Sequence, residues 1–283
     1  MLTRAASSGS LSAAKLSASG SSGAVRLKCL DPGRIALACV ASFLAGAINS
    51  VAGGGTLVSF PTLIWLGLPS ITANATSTVA IWPGSLGSMW GFRREFAQTP
   101  KKLRYLSIAC LLGGGVGAVL LRLTPTDMFD RLVPFLILFA TLLFTVQTTV
   151  QRMLKQRAGA AHEVWLPGAM LVQFFVAIYG GYFGAGVSIM GLSVLGIFGM
   201  TEILQMSALT SLFSLCINGV ASILFMATGM VDWRYVGPMA VAAVIGGYGA
   251  AGVARRIGKT AVRRFVISVG FTISVVLFIK KFG

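Results

Sequence analysis

Residues 35–92 read IALACVASFLAGAINSVAGGGTLVSFPTLIWLGLPSITANATSTVAIWPGSLGSMWGF and contain no Asp, Glu, Lys, Arg or His. A helix needs roughly 20 apolar residues to cross a hydrocarbon core about 30 Å thick, so this stretch is long enough for several segments. Backbone N–H and C=O groups find no water inside lipid, which favours helices over open sheet. The stretch therefore predicts several membrane-embedded helices.

The rest of the chain has the same character. It is 55% hydrophobic and 11% charged, with a mean hydropathy of +0.84, which is far from the composition of a soluble domain. Further runs without charge cover residues 105–121, 132–151, 164–201, 203–231, 235–254 and 265–279. We predict an all-α polytopic membrane protein.

The net charge of +16 comes from basic residues that cluster between the apolar runs. This pattern is typical of topology signals, and no segment offers the solvated basic face that nucleic acid requires. The four cysteines have no CxxC spacing, the single histidine (His162) lies in a loop, and no carboxylate pair falls within a span. We therefore predict no metal, no cofactor and no intramembrane enzyme.

Residues 1–33 are rich in Ser, Ala and Gly and form a separate N-terminal tail. The composition resembles an organelle transit peptide, and a disordered extension or an over-long predicted start explains it as well. The first alternative would place the protein in an organelle membrane.

The chain repeats itself with an offset of 131 residues. At this offset Gly53-Gly54-Gly55 aligns with Gly184-Ala185-Gly186, and Asn74-Ala75-Thr76 aligns with Gln205-Met206-Ser207. Internal duplication of this size is typical of secondary transporters. We predict a first membrane repeat over residues 34–150, a cytoplasmic linker over 151–164 and a second repeat over 165–283.

Each repeat begins with a segment that ends in glycines and continues with a short apolar segment. The short segments, 57–68 and 187–198, would reach about 18 Å, too little to cross a membrane. Each pair is predicted to form a broken, re-entrant hairpin, followed by about three spanning helices. Irregular backbone at membrane depth is tolerated where it is buried in protein or lines a cavity, so the glycine breaks indicate a site.

Basic residues in equivalent loops of the two repeats show opposite biases. Arg93, Arg94, Lys101, Lys102 and Arg104 follow the third segment of the first repeat, whereas the second repeat carries Arg255, Arg256, Lys259, Arg263 and Arg264 one loop later. By the positive-inside rule the repeats are inverted, with residues 93–104, 151–163 and 255–264 in the cytoplasm. The basic residues of the tail would then lie outside with the C-terminus, so the tail is removed, its start is misassigned, or this parity is wrong.

Neutral polar residues around the glycine breaks are the predicted substrate-binding residues. A broken helix exposes N–H groups at the start of its second limb, where the positive end of the helix dipole attracts an anion. Hydroxyl and amide side chains would complete the coordination, although small residues also serve helix packing. The predicted residues are Asn49, Gly53, Gly54, Gly55, Thr56, Asn74, Thr76, Gly184, Gly186, Ser188, Gln205 and Ser207.

Three further features have simpler explanations. Glu202 is either a proton-coupling carboxylate or a charge in the first turn of a helix. The glycines of residues 113–117 and 246–249 are predicted to serve packing. Asp232-Trp233 predicts a helix start with an interfacial aromatic, and Trp82, Trp90 and Trp165 are interfacial candidates.

Several motifs, in this order, resemble the sulfite-exporter-like TauE/SafE family of membrane permeases over about residues 35–280. In the first repeat they are Ala45-Gly46, Gly53-Gly54-Gly55, Pro61, Gly67-Leu68-Pro69 and Ala73-Asn74-Ala75-Thr76. In the second they are Tyr179-Gly180-Gly181-Tyr182-Phe183-Gly184-Ala185-Gly186, Gly229-Met230-Val231-Asp232-Trp233 and Gly246-Gly247. Gln205-Met206-Ser207 departs from the family's usual second Asn-Ala-Thr.

The resemblance implies transport of sulfite, sulfonates or related small organic anions, often driven by an ion gradient, in the bacterial plasma membrane. Our first hypothesis is a secondary transporter with alternating access around a midplane site, coupled to a proton or sodium ion. A passive channel for a small solute and a non-transporting membrane scaffold are the alternatives. A homo-oligomer is compatible with each of them.

Overall fold

The computed structural model describes residues 32–52, 54–91, 93–156, 166–198, 200, 202–257 and 259–282, and all regular secondary structure in these ranges is helical. The helices are α1 (Pro32–Ala52), α2 (Thr56–Trp65), α3 (Ser70–Gly91), α4 (Arg93–Gln98), α5 (Lys101–Arg104), α6 (Leu106–Leu123), α7 (Thr126–Gln156), α8 (Leu166–Tyr182), α9 (Val187–Ile197), α10 (Ile203–Ala227), α11 (Trp233–Ile257) and α12 (Lys259–Phe282). The all-α prediction is confirmed. The predicted tail and linker lie outside the described residues, except for Pro32 and Gly33 in α1 and residues 151–156 in α7.

Several of these helices suit a membrane by length and composition. Within the described residues, four stretches are long and apolar enough to cross one: Pro32–Asn49, Lys101–Leu123, Thr126–Gln147 and Leu204–Ala227. Large apolar side chains such as Leu112, Phe135 and Ile223 are exposed on the outside of these helices. A water-soluble protein rarely exposes apolar surface on this scale, whereas lipid accommodates it. The polytopic architecture is confirmed.

The two predicted breaks interrupt helices where the glycines occur. α1 ends at Ala52 and α2 begins at Thr56, while α8 ends at Tyr182 and α9 begins at Val187. The second limbs, α2 and α9, contain 10 and 11 residues. At 1.5 Å per residue each is about 15 Å long, too short to cross a membrane alone.

The two halves of the chain pack into each other. α1 lies against α11 and α8 lies against α6, while α3 contacts α11 and α10 contacts α6. α3 also crosses α10, and α7 packs along α12. Each of these contacts is matched when the two halves are exchanged, as expected for equivalent repeats. The inverted orientation of the repeats stays a prediction.

Glycines bring the paired helices into close contact. A Cβ atom placed on Gly117 of α6 would lie 2.1 Å from the carbonyl oxygen of Ile178 in α8. A Cβ on Gly46 of α1 would lie 2.0 Å from the carbonyl oxygen of Ala243 in α11. Small residues allow membrane helices to approach this closely. The predicted packing role is confirmed for Gly113, Gly114, Gly117 and Gly246, which all meet backbone of a neighbouring helix.

Helix ends differ from the predicted ones mainly where basic residues occur. α7 continues to Gln156, past the predicted end of the first repeat at residue 150. α11 runs to Ile257 and α12 starts at Lys259, so the expected loop over residues 255–264 is mostly helical. Arg and Lys are good helix formers, and charge therefore marks the ends of membrane spans without ending the helices themselves.

The start of α11 is tied to α3. The backbone N–H of Asp232 donates to Thr76 Oγ1 at 3.0 Å. The Asp232 carboxylate accepts hydrogen bonds from the Arg234 guanidinium, at 2.7 and 2.9 Å, and these bonds lower the pKa of Asp232. The helix start predicted at Asp232-Trp233 is confirmed.

Candidate functional site

A small polar cavity lies between the two broken hairpins. Its lining residues come from the breaks and from the two crossing helices α3 and α10: Asn49, Thr56, Thr78, Ile81, Trp82, Gly184, Ser188, Ser214 and Asn218. The cavity is small, with a volume of about 20 Å³, which is room for roughly one water molecule. Both repeats therefore contribute to one site.

The second limbs of both hairpins begin at this cavity. Leu57, Val58 and Ser59 donate their N–H groups to the carbonyls of Gly54 and Gly55, and Ile189 and Met190 donate theirs to Gly186. The N–H groups of Thr56 and Ser188 have no acceptor among the residues that the structure describes. Since the first N–H groups of a helix carry its positive dipole end, two such ends meet at the cavity.

None of the lining residues is charged, so the cavity is polar through hydroxyl, amide and backbone groups. Ser188 Oγ lies 3.1 Å from Ser214 Oγ, which joins α9 to α10 at the cavity wall. Within the described part of the chain, no group of three or more His, Cys, Asp or Glu residues could hold a metal ion.

The second break has a defined backbone geometry. Gly184 and Gly186 have φ values of 84° and 81°, a left-handed region that glycine enters without steric cost. The Tyr179 hydroxyl donates to the carbonyl of Ala185 at 2.9 Å and closes the turn. Phe183 packs edge-on against Phe60 of α2, with 5.4 Å between ring centroids. The second break is thus supported by the second limb of the first hairpin.

Comparison with known proteins identifies the architecture. The model of the sulfite exporter TauE/SafE family matches residues 38–277. The chain belongs to this family. It is therefore a multi-pass membrane transporter, and the cavity described above lies at the meeting point of its two breaks.

Curated relatives support the assignment over most of the chain. A probable membrane transporter protein of Haemophilus influenzae is 28% identical, in a match that covers 83% of this chain and 90% of the relative. The probable membrane transporter protein YfcA of Escherichia coli K12 is 25% identical, covering 86% and 88%. The probable membrane transporter protein ORF9 of Sinorhizobium sp is 26% identical, covering 71% and 75%. No solved structure matches the chain significantly.

The structure brings four of the predicted site residues of this TauE/SafE transporter to the cavity, namely Asn49, Thr56, Gly184 and Ser188. Gly54 and Gly55 lie beside it and are buried against Phe144 and the backbone of Ala45. Gly186 packs against Leu143, and Gly53 is outside the described residues. Gly54, Gly55 and Gly186 shape the breaks, while Gly184 and the polar residues next to the breaks line the cavity.

The Asn-Ala-Thr motif occupies a different place from the one predicted. Asn74 is buried and donates from Nδ2 to the carbonyl of Tyr182 at 3.0 Å, and Thr76 holds the start of α11. Gln205 and Ser207 also do not line the cavity. Glu202 is exposed immediately before α10, as expected for a charge at a helix start. The motif of the first repeat thus connects α3 to elements of the second repeat.

The Asn74 contact leads to a stability prediction. Asn74→Ala leaves the Tyr182 carbonyl at the end of α8 without its donor, which costs about 1–3 kcal/mol. Asn74→Asp places a carboxylate oxygen against that carbonyl in a buried position, so we expect a larger loss. Thermal unfolding of the purified variants should give the order wild type, Ala, Asp. An Asp variant as stable as the wild type would contradict the assigned contact.

Ser214 and Asn218 also line the cavity and were not predicted from the sequence, and neither was a site role for Thr78, Ile81 or Trp82. Trp82, a candidate for the membrane interface, lies half-buried on α3, donates from Nε1 to the carbonyl of Leu215 in α10 and lines the cavity, while its place relative to the lipid stays a prediction. The spacing of Ser214 and Asn218, four residues apart on one helix face, was the available signal. The same spacing is common where membrane helices pack against each other, so it does not by itself identify a site.

Proposed function

We propose that this transporter carries a small anion, of the sulfite, sulfonate or related class, by alternating access around the cavity between its two breaks. The observation that carries the proposal is the meeting of two helix starts, at Thr56 and Ser188, in a cavity without charged residues. Each helix start is equivalent to about half a positive charge, and each presents backbone N–H donors.

An anion can be held in such a site without a buried cation. A permanent Arg or Lys would cost free energy to desolvate whenever the site is empty, whereas backbone dipoles are already part of the fold. The hydroxyls of Thr56, Ser188 and Ser214 and the amides of Asn49 and Asn218 supply further donors that can complete the coordination. Neutral donors also favour release, which a carrier requires in every cycle.

A thermal-shift panel on purified protein tests the site. The panel contains sulfite, thiosulfate, sulfoacetate, taurine, sulfate and small carboxylates, and binding to the folded state raises its apparent stability. We expect one anion class to stabilise the wild type. In Thr56→Val combined with Ser188→Ala its affinity should fall about tenfold or more, since a hydrogen bond to a charged group contributes about 1.5–3 kcal/mol.

Thr62→Val is the matched control, because the Thr62 hydroxyl bonds its own helix at Val58 O, 2.8 Å away, and does not line the cavity. An absence of any shift, or an equal shift in the double variant, would rule out the proposed site. Uptake into proteoliposomes then tests the mechanism. Saturable uptake that follows a proton or sodium gradient supports a carrier, whereas non-saturating flux independent of such gradients indicates a channel.

A further inference from the structure

The corner between α3 and α6 carries a strong positive charge. Residues 93–104, which form α4, α5 and the link between them, contain five basic residues and one acidic residue. Arg94, Lys101 and Lys102 are exposed, and none of the three forms an ion pair with an acidic side chain in the part of the chain that the structure describes. Their charges are therefore available to an anion from outside the protein.

Arg104 holds this corner in one shape. Its guanidinium donates from Nη2 to the carbonyl of Phe96 at 3.0 Å and lies 4.4 Å from the centroid of the Phe96 ring. The Thr99 hydroxyl donates to the carbonyl of Glu95 at 3.0 Å, and α4 as a whole contacts α10. The corner is thus a folded part of the protein, and the backbone that carries its exposed lysines has a fixed position relative to α6.

Lys101 begins a stripe of exposed residues that continues along α6. Tyr105, Ile108 and Leu112 follow it at intervals of four, three and four residues, which is the spacing of one helix face. The turn of the helix continues across the junction of α5 and α6, because the Ile108 N–H donates to the Tyr105 carbonyl at 3.0 Å. The exposed fractions of Tyr105, Ile108 and Leu112 are 57%, 47% and 62%. This exposed stripe changes from cationic to aromatic to aliphatic along its length.

The order of residues in the exposed stripe matches the layers of one membrane leaflet. The stretch Lys101–Leu123 is long and apolar enough to cross a membrane, so its first residues lie near the depth of the lipid headgroups. Tyrosine favours the interface between headgroups and hydrocarbon, which suits Tyr105, while Ile108 and Leu112 lie deeper, at the level of acyl chains. Anionic headgroups attract basic side chains that lie next to a span.

We propose that the exposed stripe, together with Arg94 and Lys102, is a binding site for an anionic phospholipid. The ammonium groups of Lys101 and Lys102 hold the lipid phosphate, and an acyl chain lies along Ile108 and Leu112. A zwitterionic phospholipid offers the same chains without net charge, so the site prefers the anionic headgroup. None of these residues lines the cavity between the breaks, and the proposal does not depend on the proposed function.

Thermal shifts of the purified full-length protein in detergent, titrated with phosphatidylglycerol or with phosphatidylcholine of the same chain length, test this proposal. Binding to the folded state raises its apparent stability. We expect the wild type to bind phosphatidylglycerol more tightly than phosphatidylcholine. In Lys101→Gln combined with Lys102→Gln, the affinity for phosphatidylglycerol should fall about tenfold or more, while the affinity for phosphatidylcholine stays the same. Glycerol 3-phosphate, which has the phosphate but no acyl chain, should cause no shift.

Arg122→Gln combined with Arg131→Gln is the matched control, because it removes the same charge from two exposed residues, at the far end of α6 and in α7. This variant should keep the wild-type affinity for phosphatidylglycerol. Equal losses in the two double variants would show an effect of net charge alone and overturn the site, as would equal affinities of the wild type for the two lipids. A shift with glycerol 3-phosphate that disappears in the lysine variant would assign these charges to a soluble anion and also overturn the lipid site.

Discussion

Gly117→Leu is expected to abolish the folded transporter. A Cβ atom at residue 117 would lie 2.1 Å from Ile178 O, 2.8 Å from the Tyr182 backbone nitrogen and 3.0 Å from the Gly181 carbonyl carbon. All three are backbone atoms of α8, so no change of rotamer relieves the overlap. α6 and α8 would have to separate, and we expect a loss of more than about 4 kcal/mol, which is exceptional for one substitution.

Gly237→Leu is the matched control, because Gly237 lies within α11 and a Cβ atom there would meet nothing within 4 Å. Both variants replace a helical glycine by the same residue, so helix propensity affects them similarly. The measurement is the yield of monodisperse protein in detergent, followed by its melting temperature. Equal yield and melting temperature for Gly117→Leu and Gly237→Leu would contradict the close packing of α6 on α8.

Gly184→Ala should weaken anion binding about tenfold while leaving the protein folded. The φ of 84° at Gly184 disfavours any other residue by roughly 1–2 kcal/mol, and the new methyl group would lie 3.5 Å from Gly180 O and 3.6 Å from Asn218 Oδ1. These are ordinary contact distances, so the methyl group fits. It occupies space in the cavity, however, and strains the break that leads to Ser188.

A second glycine separates backbone strain from the effect on the site. Gly229 has a φ of 69°, a Cβ atom there would meet nothing within 4 Å, and it lies between α10 and α11 away from the cavity. Gly229→Ala should therefore lower the melting temperature about as much as Gly184→Ala and leave the affinity for the bound anion unchanged. Equal affinities in both variants would show that Gly184 is not part of the binding site.

The sequence alone was enough to predict most of the helical architecture. Lipid demands long apolar helices, so the charge-free runs predicted where they lie, and glycine clusters within such runs predicted where α1 and α8 end. The same reasoning found Asn49, Thr56, Gly184 and Ser188, because residues next to a break at membrane depth must line a cavity or be buried. The predicted ends of α7, α11 and α12 were wrong, because the basic residues used to place them mark a membrane boundary rather than a helix end.

Only the tertiary structure decided which polar residues of the unbroken helices face the cavity. Along α3, Asn74, Thr76 and Thr78 are similar in polarity, yet Thr78 lines the cavity while the other two bond to the second repeat. The rotation of α3 about its own axis is set by its crossing with α10 and its contact with α11. A side chain's environment therefore depends on residues more than 100 positions away, and no local pattern carries that information. Trp82 shows the same limit. From the sequence, an indole at a lipid interface and an indole that lines a cavity look alike, and only the position of the ring against Gly219 of α10 shows that it lines the cavity.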